Sequence, residues 1–376
     1  MSTTSLIEHF STINDPRIEK KCDHKLIDIL VITVCASICR FDDSWEEIEE
    51  FANFKIDWFK RFLELPNGIP SHDTIRRVFL LIDPIAFQEC FYHWADCLRN
   101  KITGETIAID GKTSRGSRDS LAGKKAIHTV SAWANENQLV LGQVQVDEKS
   151  NEITAIPKLL DLLDVNGCTI TIDAMGTQKK IAEKIVDKKA NYILGLKGNQ
   201  GNLLDDVKTY INDQLDNKID DDSYQVKETA DANHGRVEER KFHLFSNIDW
   251  LEQKPDWKGL SSIGVVESSV EHKGTVSFER RFFITTLNSI EQFAKGVREH
   301  WGVENSLHWT LDVAFDEDRS TRKKGNSPAN SAVLRHITLN LLKKETSRKG
   351  SINRKRKRAC MDHHYLETLI FGTATK

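Results

Sequence analysis

The sequence lacks the features that mark secreted, disulfide-stabilised and membrane-spanning proteins. Its N-terminus has no basic-then-apolar signal peptide. Its longest apolar run, 26–38, contains Asp28 and is too short to cross a bilayer. The seven cysteines are odd in number and form no Cys-x-x-Cys pair, which favours reduced thiols. We therefore expect a cytoplasmic protein with no membrane partner.

The sequence also lacks the local motifs of several enzyme classes. It has no Walker-type phosphate loop, no Gly-x-Ser-x-Gly elbow and no His-Glu-x-x-His. The spacing of Cys22, His24, Cys35 and Cys39 fits no usual zinc site. These absences argue against a P-loop nucleotide hydrolase, a serine hydrolase and a zinc peptidase.

The net charge of −3 gives no nucleic-acid signal for the chain as a whole, but the charges are unevenly distributed. Residues 319–358 contain 14 Lys or Arg against one acid, Glu345, whereas 205–222 contains seven Asp against two Lys. Such asymmetry predicts a basic surface for a polyanion. The run 354–358, Arg-Lys-Arg-Lys-Arg, either contacts phosphate or is a solvated chain end.

Two aspartates follow short apolar runs that are typical of buried strands. Thr-Ile-Ala-Ile precedes Asp110, and Thr-Ile-Thr-Ile precedes Asp173. If the two strands are neighbours, the carboxylates repel each other unless a cation lies between them. Oxygen-only ligands favour Mg²⁺. One such Asp alone would simply start a turn, but the pair, with the third acid described below, favours a metal site.

The order of predicted elements indicates the fold class. Residues 1–100 are predicted to be helical, and the chain from 105 alternates as three strands, helix, strand, helix, strand, helix. This is the order of an α/β, RNase H-like mixed sheet flanked by helices, in which the first and fourth strands are neighbours. A β-rich insertion is predicted at about 223–287. We expect a helical domain at 1–100, a catalytic domain at 101–345 and a basic tail at 346–376.

A third acid is predicted to lie on a later helix. Over 298–311, the residues His300, Glu304 and His308 share one helical face, and two tryptophans flank it. A core-facing carboxylate needs a partner. Glu304 either pairs with Arg298 or His300, or it is the third ligand of the metal site.

Three carboxylates can hold two Mg²⁺ ions about 4 Å apart and so activate a water or a 3′-hydroxyl for attack on phosphorus. Little else is needed from the protein beyond positioning and positive charge. His300 and His308 either position the scissile phosphate and tune Glu304, or they pack in the core.

Several cations are candidates for contacts with DNA phosphates. Arg76 and Arg77 lie in a predicted helix that follows a short turn, which fits a helix-turn-helix reader and a plain helical bundle equally well. Further candidates follow strand ends or turns: Lys112, Arg115, Lys197, Arg236 and Arg240.

The sequence resembles the H-repeat-associated transposases of bacterial insertion sequences. The motifs that carry the resemblance lie in order along nearly the whole chain, at 68–74, 108–113, 172–178, 196–200, 234–236, 300–309, 325–328 and 339–343. The resemblance implies an RNase H-like DDE core of the retroviral integrase superfamily, with a helical associated domain before it. It also implies that the DDE triad falls on Asp110, Asp173 and Glu304.

The resemblance further implies an activity and its partners. The expected enzyme uses Mg²⁺ or Mn²⁺ to nick double-stranded DNA at terminal inverted repeats and to join it to a target, on the bacterial nucleoid. It is expected to act as a homodimer or larger assembly. Broader relatives have an Arg four residues before the glutamate; His300 stands there, so that role falls to Arg298 or is absent. The alternatives are a nuclease that never joins strands, and a domesticated, catalytically silent DNA-binding protein.

Overall fold

The structure is a computed structural model that describes residues 6–18, 20, 22–120, 123–147, 150–217, 222–233, 236–272 and 274–372. Its backbone contacts divide the chain into two compact units. Unit 1 consists of Met1–Asn100, Gly111–Lys149 and Glu304–Lys376, and unit 2 of Lys101–Asp110 and Ser150–Val303.

The described residues form helices and strands in an order that begins with helices alone. The N-terminal helices are α1 (Leu6–Phe10), α2 (Leu26–Ile38), α3 (Trp45–Phe54), α4 (Ile56–Phe59), α5 (His72–Leu81) and α6 (Pro84–Leu98). The next elements are β1 (Thr106–Ser114), β2 (Ile127–Ala134), β3 (Leu139–Gln145), α7 (Glu152–Leu162), β4 (Thr169–Ile172), α8 (Lys179–Asp187), β5 (Asn191–Leu196) and α9 (Gly201–Asp216). The chain continues through β6 (Tyr224–Asn233), β7 (Arg236–Phe245), β8 (Ser262–His272), β9 (Thr275–Thr285), α10 (Ile290–Gly302), α11 (Trp309–Ala314), α12 (Ser327–Lys344), α13 (Ile352–Met361) and α14 (His363–Phe371).

The strands form a mixed sheet in the order β3-β2-β1-β4-β5-β9-β8-β7-β6. β1 and β4 are parallel neighbours, paired from Thr106↔Thr169 to Ile109↔Ile172, and β4 is parallel to β5. The predicted contact between the first and fourth strands is therefore confirmed, as is the RNase H-like mixed sheet with a helical N-terminal region.

The predicted β-rich insertion extends this same sheet. Strands β6 to β9 form an antiparallel meander, and β9 pairs with β5 from Ile193↔Thr285 to Leu196↔Phe282. The outer halves of these long strands carry exposed side chains, while the halves near β5 are buried. The insertion is thus anchored through its last strand to the strand that follows the second predicted acid.

Helix α10 packs on one face of the sheet in unit 2. Phe293 is fully buried in an apolar cluster with Ile193, Phe242, Leu244 and Val297. A buried aromatic ring of this kind removes a large apolar area from water. The cluster therefore fixes α10 against β5, β7 and β8, which matters because the third predicted acid follows α10 directly in the chain.

We expect Gly264→Ala to lower the free energy of unfolding by about 1–3 kcal/mol, because an added methyl group overpacks this cluster. A Cβ at Gly264 would lie 2.5 Å from Cζ and 2.9 Å from Cε1 of Phe293. Urea unfolding measures the change. Gly201→Ala is the control, since a Cβ there meets nothing within 4 Å. Equal losses in the two variants would contradict the packing explanation.

The centre of unit 1 is α12, which is buried along almost its whole length. It carries two buried asparagines that bond to backbone groups of other elements. Asn340 accepts from the Val140 amide at 2.9 Å and donates to the Val140 carbonyl at 2.8 Å. Asn330 donates to the carbonyls of Phe79 and Ile82. These bonds satisfy backbone groups that would otherwise be buried at a cost.

The segment predicted to be a basic tail contains two helices, α13 and α14. Lys355 and Arg356, both in the run 354–358, are buried. The Arg356 guanidinium donates to the carbonyls of Ser37 and Ala314 and lies over the Phe315 ring. The prediction of a solvated end or phosphate contact is therefore wrong for these two side chains, which help to hold α13 in unit 1.

Among the helices built from the described residues, none combines the length and apolar character needed to cross a bilayer.

Candidate functional site

The two predicted strand-end aspartates come together in unit 2. Asp110 and Asp173 each follow the last residue pair of the parallel ladder, Ile109↔Ile172. Adjacent strands lie about 4.8 Å apart, so the two residues leave the same edge of the sheet side by side. Both are partly exposed, in contrast to the buried strand residues before them. The register therefore places the two aspartates side by side where the parallel β1–β4 ladder stops, after the end of β4 and within β1, which continues to Ser114.

A tight turn orients the Asp173 carboxylate. Its Oδ1 accepts from the backbone amides of Met175 at 3.0 Å and Gly176 at 3.3 Å. Aspartate commonly forms such a turn after a strand. Both bonds involve Oδ1, and Oδ2 takes part in neither of them. A Cβ at Gly176 would overlap Cγ2 of Ile172 and lie 2.7 Å from Cδ1 of Ile156. The turn thus needs glycine at this position.

Three polar side chains that the sequence interpretation missed support the same turn. The buried Thr177 hydroxyl donates to the Gly195 carbonyl at 2.6 Å. Asn199 donates to the Ala174 carbonyl at 2.7 Å, and Gln200 to the Thr177 carbonyl at 3.0 Å. The motif 196–200 was recognised only as part of the family resemblance. Its role could not be inferred from spacing because its partners are backbone carbonyls about 25 residues away.

His300 lies on α10 beside the strand that leads to Asp173. Its Nδ1 is 3.0 Å from the hydroxyl of Thr171. Burial lowers the pKa of His300, and the nearby Asp173 carboxylate opposes that shift. His300 therefore contacts β4 two residues before the second predicted acid.

The structure corrects the prediction that Glu304 is a core-facing carboxylate on a continuous α-helix. Helix α10 ends at Gly302, and Val303–His308 forms a π-helical turn. Glu304 is exposed, and Trp309 is 60% exposed. The π turn interrupts the continuous α-helix, and the exposed Glu304 does not face the core. The exposed Glu304 carboxylate needs no metal ion or buried partner to offset desolvation.

The alternative partners considered for Glu304 are engaged elsewhere. Arg298 donates to Asp231 at 2.7 Å, and His300 contacts Thr171 as described. π-Helical turns occur frequently at functional sites. An exposed carboxylate on such a turn is accessible to a ligand, but its role stays a prediction.

The donor set of the aspartate pair fits a hard divalent cation, since it consists of carboxylate oxygens held at one sheet edge. A larger preformed site is not observed. Within the described ranges, no group of three or more His, Cys, Asp or Glu side chains is close enough together to hold a metal ion. The backbone register therefore brings together two of the three predicted metal ligands, Asp110 and Asp173.

Lys112 and His308 belong to a buried polar cluster in unit 1. Lys112 is 2.7 Å from Asp312 and 3.4 Å from Glu317, and its side chain is only 13% exposed. Burial opposes its charge, but the hydrogen bond to Asp312 and the Glu317 charge leave the pKa of Lys112 raised. Burial lowers the pKa of His308 to about 4, with Lys112 contributing. The prediction that Lys112 reaches a DNA phosphate does not fit these internal ion pairs.

We expect the free energy of unfolding to decrease as the pH falls from about 6.5 toward 4. Burial lowers the pKa of His308 to about 4 and that of His336 to about 3, whereas unfolded histidines titrate near 6.5. Below that value the unfolded chain binds more protons, so stability is lost as pH falls, by about 3 kcal/mol per histidine.

Urea unfolding at several pH values measures this effect. The variant His336→Gln should show a shallower pH dependence than the wild type, because one of the two buried rings is gone. The exposed His93 gives the control variant His93→Gln, which should keep the wild-type pH dependence. An unchanged slope in His336→Gln would contradict the assignment.

The remaining predicted phosphate contacts fall into two groups. Arg240 is bound to Asp231 and Glu238 at 3.1 and 2.7 Å, so it shares Asp231 with Arg298. By contrast, the exposed candidates are Arg76, Arg77, Arg115 and Lys197. The side chain of Arg236 lies outside the described part of the chain, as do His234 and Gly235 of the same motif.

Two domain families match the chain. Residues 7–95 match the family described as DDE_Tnp_1-associated, and residues 102–341 match the family described as Transposase DDE domain. The second match alone covers well over half of the chain.

Similar proteins span the same length. "Putative transposase YncI" of Escherichia coli O157:H7 is 43% identical over 376 residues, which cover 98% of this chain and 95% of that protein. "H repeat-associated putative transposase YhhI" of Escherichia coli (strain K12) is 40% identical over 380 residues, covering 99% of each. A cryo-EM structure of a piggyBac transposase synaptic complex with hairpin DNA aligns with a TM-score of 0.42 at 11% identity, covering 96% of this chain and 75% of that chain.

Proposed function

Because the chain belongs to the DDE transposase family, we propose that it binds the terminal inverted repeats of its own mobile element, nicks the DNA and joins the freed 3′-hydroxyl to a target. The catalytic acids in this proposal are Asp110, Asp173 and Glu304. The protein would act in the bacterial cytoplasm on nucleoid DNA. The domain boundaries proposed with it are 1–100, 101–345 and 346–376.

The observation that carries the proposal is the backbone register that makes Asp110 and Asp173 neighbours. Two like charges side by side at a sheet edge repel each other, and a bound cation relieves that repulsion. The turn at 173–178 is fixed by backbone and side-chain hydrogen bonds. A carboxylate that binds a metal ion or takes part in catalysis has to be held in one orientation by its surroundings.

Mg²⁺ or Mn²⁺ held by these acids would supply Lewis-acid chemistry, activating a water or 3′-hydroxyl and stabilising the leaving oxygen. The other contributions come from side chains of the protein. Asp110 and Asp173 provide negative oxygen ligands at a common edge. Thr177, Asn199 and Gln200 keep the Asp173 turn in one conformation, so the carboxylate does not have to reorganise during the reaction.

Glu304 is the proposed third acid, on two supporting grounds. The chain enters its π-helical turn directly from α10, which is fixed on the sheet through Phe293 and contacts β4 through His300. The Glu304 carboxylate is exposed, so DNA and a metal ion can reach it. His300 stands four residues before the glutamate, where the resemblance implies that broader relatives often have an arginine. Since Arg298 pairs with Asp231, the Arg role in this chain is proposed to be absent.

The proposed partner is double-stranded DNA, and two or more copies of the chain would act together because two element ends must be held at once. The exposed Arg77, Arg115 and Lys197 remain the proposed phosphate contacts near strand and helix ends. His300 and His308 are proposed to position the scissile phosphate or to tune Glu304, and burial lowers the pKa of both rings.

A strand-transfer assay tests this function. End-labelled element DNA and a supercoiled target plasmid are incubated with the protein and either Mg²⁺ or Mn²⁺. The proposal predicts nicked ends and labelled target. Nicked ends without labelled target would indicate a nuclease that does not join strands. Tight binding with no cleavage under either metal would indicate a silent DNA-binding protein, and both outcomes would contradict the proposal.

A further inference from the structure

A cavity of about 650 Å³ lies in unit 1, between segments that are far apart in the sequence. One wall comes from Trp45 of α3 and Arg76 of α5, a second from the turn at Asp119, and a third from 321–327, which leads into α12. The sequence suggested two unrelated basic features, the α5 arginines and the run 319–358. The structure brings members of both to one cavity.

The charges that line this cavity are mainly positive. Four cations line it, Arg76, Arg322, Lys323 and Lys324, against one acid, Asp119. Both lysine side chains are exposed. Charges of one sign in a concave, low-dielectric wall reinforce each other's field and concentrate counter-ions. The cavity is therefore suited to a polyanion.

Arg322 is a fixed positive charge in the cavity wall. It is 5% exposed, its guanidinium lies 4.1 Å from the centroid of the Trp45 ring, and it donates to the Asp42 carbonyl at 2.7 Å and to the Ser331 hydroxyl at 3.2 Å. Both hydrogen-bond acceptors are neutral. The carboxylates of Asp42, Asp43 and Glu47 lie within electrostatic range and offset part of the charge. The guanidinium is thus held rigidly and need not be ordered when a ligand binds.

The other charges at the cavity are more adaptable. Arg76 is 3.1 Å from Asp73, and both side chains are nearly half exposed. Such a surface pair is weak, so Arg76 can exchange Asp73 for another anion. Ser327, the first residue of the 18-residue helix α12, also lines the cavity, and Asn326 before it makes no side-chain cap bond.

We infer that this cavity binds the sugar–phosphate backbone of duplex DNA, with Lys323, Lys324 and Arg76 contacting phosphates and Arg322 forming the fixed floor. The inference rests on the proposed function, because that function supplies DNA as the partner. Exposed lysines read no base sequence. The cavity therefore increases the affinity for DNA of any sequence. Arg76 of α5 acts here as a phosphate contact and not as a base-reading residue.

DNA binding by the double variant Lys323→Gln/Lys324→Gln tests the inference. Fluorescence anisotropy is measured in EDTA with labelled duplexes, one with an element end and one of unrelated sequence, between 50 and 200 mM salt. We expect affinity for both duplexes to fall about tenfold, and the slope of log K against log salt to become shallower by about 2.

The matched control is Lys349→Gln/Lys357→Gln. These two lysines are exposed, belong to the same basic run and the same unit, and do not line the cavity. The inference predicts a much smaller loss for this pair. Equal losses in the two double variants, or no loss in the cavity variant, would overturn it. Circular dichroism and the urea midpoint show whether both variants are folded.

A second arm separates DNA from a free phosphate ligand. Inorganic phosphate is titrated while the melting temperature is followed. If phosphate stabilises the wild type and not the cavity variant, while both bind DNA equally, the cavity serves a free phosphate compound and the DNA assignment is overturned. Because binding is measured without metal, loss of nicking in other experiments bears on the proposed chemistry and leaves this result unaffected.

Discussion

Replacing Asp173 with Asn should lower metal-dependent nicking of element-end DNA by about 10³-fold or more, while DNA affinity stays within about threefold of wild type. The same result is expected for Asp110→Asn. Both residues directly follow the last residue pair of the parallel ladder between β1 and β4. In the proposed function their negative charges bind the metal, and an amide oxygen is a much poorer ligand for Mg²⁺.

The Asn substitution is a sharp test because it keeps the local structure. Oδ1 of residue 173 accepts hydrogen bonds from the amides of Met175 and Gly176, and the amide oxygen of Asn can accept both. Only the charge is lost. Asp187→Asn is the matched control, since Asp187 is in the same unit and pairs with the exposed Lys258. Undiminished Mg²⁺-dependent nicking by the double variant Asp110→Asn/Asp173→Asn would count decisively against the site.

Glu317→Ala should lower the free energy of unfolding by about 3–5 kcal/mol, because it leaves two buried cations without their shared carboxylate. Glu317 is 2% exposed. Its two oxygens lie 3.3 Å from Arg335 and 3.4 Å from Lys112, whose side chains are 8% and 13% exposed. Removing one member of a buried charge network costs more than the pair contributes, since the remaining charges stay desolvated.

Asp312→Ala is the control for this prediction. Asp312 binds the same Lys112 at 2.7 Å, but its side chain is 40% exposed. We expect that loss to stay within about 1 kcal/mol, as for other exposed pairs. Urea unfolding near pH 7.5 measures both variants. A loss for Asp312→Ala as large as that for Glu317→Ala would show that burial does not set the cost.

The strand-end aspartates could be predicted from the sequence because their signal is local. A short β-branched run followed by Asp and a turn residue indicates a buried strand that ends at the Asp, and the order of elements predicts that β1 and β4 are neighbours. The predicted end is correct for β4, whereas β1 continues past Asp110 to Ser114. The exact register, Ile109↔Ile172, is not visible in either run alone. It follows only from the pairing of two segments that lie about 60 residues apart.

The π-helical turn at Glu304 could not be predicted from spacing. A helical wheel assumes a continuous α-helix, and on that assumption Glu304 faces the core. One widened turn between Val303 and His308 breaks that assumption. Helix dihedrals and hydrogen bonds locate such a turn, and the pattern of apolar residues does not.

The roles of individual cations were equally hidden in the sequence. Lys112 follows the first acid closely, which suggested a phosphate contact, but its partners Asp312 and Glu317 lie about 200 residues away. Arg356 stands in a run of five basic residues and is nevertheless buried against backbone carbonyls. Composition measures how many cations a segment holds, whereas tertiary contacts decide which of them remain accessible.

The most direct test of the catalytic site is to map the bound metal on the polypeptide itself. Fe²⁺ replaces Mg²⁺ in the complex with element-end DNA, and ascorbate then generates radicals that cut the backbone close to the ion. Our account predicts cuts near residues 110, 173 and 304, all suppressed together by Asp173→Asn and by excess Mg²⁺. Cuts elsewhere, or cuts near 110 and 173 that never extend to 304, would contradict a site formed by these three acids.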